Sequence, residues 1–98
     1  MDNAQEKIYR SIEQAYGKSI LAMKEQQFSE VMSAQPIDNC NAILAALRAE
    51  KTFYQKVLDE EYRKKNPASK RYAEANKLLP EINAKGKLLK SIIEQKQK

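Results

Sequence analysis

Three features of this sequence predict an all-α fold. Apolar residues recur at three- and four-residue spacing along most of the chain. Only two glycines and three prolines punctuate its 98 residues. Apolar/polar alternation never persists over β-branched residues, and no Asn-Gly or Asp-Gly hairpin turn occurs. The expected architecture is elongated, with three helices in one domain over 1–98. The middle and C-terminal helices pair as an antiparallel hairpin, and oligomerisation is a way to complete the core.

The first helix is placed at about 3–33. Asn3 followed by Glu6 resembles a capping box, with asparagine in place of the usual Ser/Thr. Ala4, Ile8, Ile12, Ala15 and Ser19 then form a stripe. Beyond Gly17 the apolar phase rotates, because Leu21, Phe28 and Met32 fall on a different side. One straight helix cannot bury both faces on one surface. Either it breaks near 17, or its halves meet different neighbours, another chain among them.

The middle helix is placed at 38–65, with Asp38 after Pro36 as its N-cap. Its stripe is Cys40, Ile43, Leu44, Leu47, Tyr54, Val57, Leu58 and Tyr62, and Arg63, Lys64 and Lys65 favour the negative end of the helix dipole. Glu50 and Lys51 interrupt the stripe and belong either at a helix–helix seam or turned outward to water. The C-terminal helix, 67–95, takes Asn66 as cap and Pro67 as its first residue. Ala75, Leu78, Leu79, Ile82, Gly86, Leu89, Ile92 and Ile93 line one face. Pro80 removes the hydrogen bond to the Asn76 carbonyl and predicts a kink or two pieces meeting there. Gly86 is read as a point where a neighbouring helix approaches closely.

Charge is shared unevenly. Residues 1–50 hold five Lys/Arg and seven Asp/Glu, whereas residues 51–98 hold thirteen and six, balances of −2 and +7. The absence of histidine removes most metal sites and the usual base for a nucleophile. Asp59, Glu60 and Glu61 are consecutive on a helix, so they diverge by about 100° each and do not chelate. Cys40 lies on the apolar stripe near a helix start. The helix end lowers its pKa and burial raises it, and a buried structural thiol is the expectation. Neither a metal nor a cofactor is expected, and no enzyme. No apolar run reaches signal-peptide or membrane-spanning length, which points to a cytoplasmic protein.

Two functional readings follow. In the first, Leu21, Phe28, Val31 and Met32 are surplus to the hairpin and form a face for a protein partner or self-association. The protein is then a small helical adaptor, regulator, chaperone-like factor or assembly subunit acting through helix–helix, coiled-coil-type contact. In the second, Arg63, Lys64, Lys65, Lys70 and Arg71 form a basic corner that works with the C-terminal helix to bind nucleic acid. Tyr62 and Tyr72 flank that corner and could stack on exposed bases. A membrane-surface role through the basic amphipathic C-terminal helix ranks third.

Overall fold

The computed structural model describes residues 3–65 and 69–98. Among these it is all-helical: α1 (Asn3–Tyr16), a short 3-10 turn (Ile20–Ala22), α2 (Glu25–Ser33), α3 (Ile37–Arg63) and α4 (Lys70–Gln97). The expected helix over 3–33 does break near 17, into two helices and a turn. Gly17 takes φ +64°, a conformation without steric cost only for glycine, and α1 stops there.

The long helices α3 and α4 form the antiparallel hairpin and pack on each other more extensively than any other pair. Helix α1 lies on α3 and α2 lies on α4. The two halves of the N-terminal segment thus do meet different neighbours, and both neighbours belong to the same chain. Phe28 and Met32 are fully buried, Val31 is nearly so, and Leu21 is half-buried against the same core. This corrects the reading of these four residues as an unsatisfied outer face. The break at 17–24 frees α2 to rotate its apolar side inward, which one continuous helix could not do.

Polar groups hold that break in place. The Ile20 N–H donates to Glu13 Oε2 at 2.9 Å. Lys85, buried in α4 with 1% of its surface exposed, donates from Nζ to the Leu21 carbonyl at 3.1 Å and to Glu81 at 3.2 Å. Lys96 Nζ donates to the Ser33 carbonyl at the end of α2 at 2.7 Å. A buried ammonium is tolerated only where acceptors replace its water, and here those acceptors define where the turn and α2 sit.

Several local expectations shift. Helix α1 buries Tyr9 and Ile12, while Ala4, Ala15 and Ser19 are exposed. Glu6 pairs with Arg10 at 2.7 Å, and Asn3 is already helical, so no capping box forms between them. Helix α3 starts one residue before Asp38, with Pro36 at the cap position, and Asp38 sits in the first turn. The Asn66 cap and Pro67 start lie outside the described residues. Helix α4 is described from Lys70, and the Ser69 hydroxyl caps it by accepting from the Tyr72 N–H at 3.1 Å. Pro80 stands inside α4 without dividing it. Asn76, whose carbonyl loses its donor, is exposed, so water can serve that oxygen.

The molecule measures 47 × 26 × 25 Å. Its main core gathers α1, α2, the first half of α3 and the second half of α4. Val57, Ala75 and Leu79 are buried outside that cluster, along the seam where α3 and α4 approach the tip of the hairpin. No described helix is long and apolar enough to cross a membrane.

The two glycines predict opposite effects. A Cβ at Gly17 or Gly86 meets nothing within 4 Å, so only the backbone decides. Gly17→Ala should cost about 1–2 kcal/mol through its left-handed φ. Gly86→Ala should gain up to about 1 kcal/mol through helix propensity. Urea titration of both variants against the parent tests the signs.

Candidate functional site at the hairpin tip

The basic corner is the end of a helical hairpin. Helix α3 closes at Arg63, and Lys64 and Lys65 follow as a turn whose N–H groups return to the Glu60 and Tyr62 carbonyls at 3.1 and 3.0 Å. Lys65 adopts φ +55°, the left-handed residue that commonly ends a helix. Arg63, Lys64, Lys65 and Lys70 are all exposed. None of the four forms an ion pair among the described residues.

Arg71 differs from the others. Its guanidinium reaches Glu61 at 3.5 Å and Glu60 at 3.9 Å across the hairpin. Glu61 is buried at 4% exposure, so this cation neutralises an internal carboxylate and ties α4 to α3. Arg71 therefore helps position the corner, with its side chain still half exposed. The acidic trio also divides, with Asp59 and Glu60 exposed and Glu61 turned inward. Among the described residues no group of three His, Cys, Asp or Glu side chains could hold a metal ion.

Tyr62 is the largest departure from the expected stripe. It is 76% exposed, whereas Tyr54 and Leu58 are half-buried and Val57 is buried. Glu61 takes the inward position at this level of α3, which leaves the Tyr62 ring outside beside Arg63, Lys64 and Lys65. Tyr72 is half-buried. Phe53 is 57% exposed and meets Tyr54 edge-on, with ring centroids 5.2 Å apart. Nine residues separate Phe53 from Tyr62, about 180° around the axis, so the two rings face opposite ways.

The basic residues of α4 also separate by role. Lys85 and Lys96 bond to backbone carbonyls, whereas Lys87 and Lys90 are exposed. Gly86 is not a contact point between helices, since its absent side chain faces open space. Glu50 and Lys51 part company as well. Lys51 is exposed, and Glu50 is half-buried near Tyr9.

Burial shifts the titration of Glu50, Tyr9 and Cys40. Burial pushes the Glu50 carboxyl above its ordinary range and the nearby Glu13 charge adds to this, while the Tyr9 hydroxyl opposes it. Tyr9 is raised in turn, first by burial and then by Glu50. Burial also raises the Cys40 thiol, against a smaller opposing effect of Lys96. Its Sγ donates to the Met32 carbonyl at 3.3 Å. Burial thus outweighs the helix start at Cys40.

A carboxyl whose folded pKa is raised disfavours folding once ionised. That penalty is absent below the ordinary carboxylate pKa of about 4.3 and complete above the raised value. Glu50→Gln keeps an acceptor for Tyr9 and should be more stable than the parent at neutral pH. The difference should vanish as pH falls below about 4, as measured by thermal melts across pH. Cys40 should resist a thiol-specific chromogenic reagent in the native protein and react fully in denaturant; rapid native labelling would contradict its burial.

Compared with known proteins, the chain matches no protein-family model, no curated protein and no solved structure.

Proposed function

We propose that the protein binds single-stranded nucleic acid at the tip of the α3–α4 hairpin. The observation that carries this reading is the Tyr62 ring, 76% exposed beside cations that pair with no carboxylate of the described chain. An aromatic face open to solvent stacks on an unpaired base whatever its identity, and adjacent cations neutralise phosphates. Arg63, Lys64, Lys65 and Lys70 supply those cations, and Arg71 holds the corner in shape. A duplex hides its base faces, so a solvent-exposed ring is better matched to a single strand.

Protein docking at residues 21–32 loses its motivation, because those side chains fill the protein's own core. Among the described residues, Tyr16, Phe53 and Tyr62 are the large hydrophobic residues that remain exposed. Phe53 and Tyr62 point to opposite sides of α3, so they do not merge into the contiguous patch that marks a protein interface. The reading is of binding without catalysis. Cys40, the strongest nucleophile, is buried with its thiol on a backbone carbonyl, and the chain has no histidine to activate it.

Fluorescence anisotropy with a labelled oligothymidylate should show binding at low salt that weakens as salt rises. Tyr62→Ala should weaken it roughly five- to hundredfold, Tyr62→Phe should retain most of it, and Phe53→Ala should leave it unchanged. No binding at low salt, or equal loss in the Tyr62 and Phe53 variants, would overturn the reading.

A further inference from the structure

Between α3 and α4, away from the tip, lies an open groove of about 420 Å³. Its floor is apolar where Leu44 and Leu47 meet Ile82, all three buried. Its walls carry Arg48 and Lys51 from α3, and Lys87 and Lys90 from α4. All four cations are exposed, and none forms an ion pair among the described residues. No carboxylate lines the groove; Asn83 is its one neutral polar side chain. Four like charges facing one another across a trough repel unless an anion lies between them.

Gly86 helps shape this trough. It lies mid-helix in α4, where alanine would fit without touching anything, and its missing side chain keeps the groove open. A glycine that serves neither a turn nor a helix contact is explained by the space it leaves.

The groove and the tip also share one side of the hairpin. Lys51 and Tyr62 are eleven residues apart on α3, about 20° around the axis and roughly 16 Å along it. Tyr72 and Lys90 are eighteen residues apart on α4, about five whole turns. A strand leaving the exposed Tyr62 ring along this side passes Gln55 and Asn76 and reaches the four cations. Asp59 borders that path and Glu94 lies one turn past Lys90, so carboxylates flank the track without entering the groove.

We infer that this groove seats the phosphate backbone of the same single strand whose base stacks at the tip, with Arg48, Lys51, Lys87 and Lys90 contacting phosphates over the gap left by Gly86. The inference rests on the proposed function and extends its site from the corner to most of the hairpin's length. The ligand is continuous single-stranded nucleic acid, long enough to reach from Tyr62 to Lys90.

The test compares oligothymidylate binding across a salt series for five proteins. They are the parent, Tyr62→Ala, a groove variant (Lys51→Gln, Lys87→Gln, Lys90→Gln), an equal-charge control (Lys7→Gln, Lys18→Gln, Lys24→Gln) and Gly86→Leu. Each phosphate contact with a single strand contributes about 0.7 to the slope of log affinity against log salt. The groove variant should therefore have a slope shallower by about 2, while the control changes little. Gly86→Leu alters no charge and improves helix propensity, yet should weaken binding on the order of tenfold by filling the groove. Circular dichroism checks that each variant is folded. If the parent binds and the groove variants match the control, the groove inference is overturned and the tip reading stands. If the groove variants lose binding while Tyr62→Ala does not, the groove holds and the tip reading falls. If the parent does not bind, both fall.

Discussion

A lysine ammonium with almost no access to water must find its acceptors within the protein, and Lys85 finds the Leu21 carbonyl and the Glu81 carboxylate. That requirement joins α4 to a turn 64 residues earlier in the chain. Glu13 holds the other side of the same turn through the Ile20 N–H. Between them these polar contacts position the 17–24 segment, whose Ile20 and Met23 join the same apolar core as the residues on either side. Without this turn α2 would continue the direction of α1 and leave Phe28, Val31 and Met32 outside. The core of the protein therefore depends on a small number of buried polar bonds, each satisfied, for among the described residues no buried side-chain nitrogen or oxygen lacks a partner.

The same logic sorts the cations of the basic half. Lys85, Lys96 and Arg71 are engaged with carbonyls or carboxylates and serve the architecture. Lys51, Arg63, Lys64, Lys65, Lys70, Lys87 and Lys90, with Arg48 just outside that half, remain exposed and unpaired among the described residues, as do the more scattered Lys56, Lys77 and Lys98. Their distribution, a cluster at the hairpin tip and a facing set in the groove connected along one side, is what motivates the proposal of a polyanionic ligand. In that proposal the exposed tyrosine at the tip narrows the ligand to one with accessible aromatic bases.

The hairpin was legible from periodicity because both long helices carry an apolar face that repeats at helical spacing over several turns. The end of α1 was legible at Gly17, where the apolar phase rotates. What periodicity could not resolve was which solvent-facing or buried position a borderline residue takes. Tyr62 continues the apolar spacing of α3, yet Glu61 is buried in its stead, because Arg71 arrives from α4 to neutralise it. Gly86 likewise reads as a tight contact in sequence and proves to border open space. The groove cations were visible as charge but not as a set, because Arg48 and Lys51 come from a helix separated in sequence from Lys87 and Lys90.

The sequence by itself determined the helical class, the pairing of the two long helices and the uneven charge, since each follows from local spacing and composition. Only the tertiary structure decided where the second apolar phase goes, which cations are free and which aromatic ring reaches solvent. Those outcomes depend on partners distant in the chain, and a helical repeat carries no information about which neighbour will meet each face.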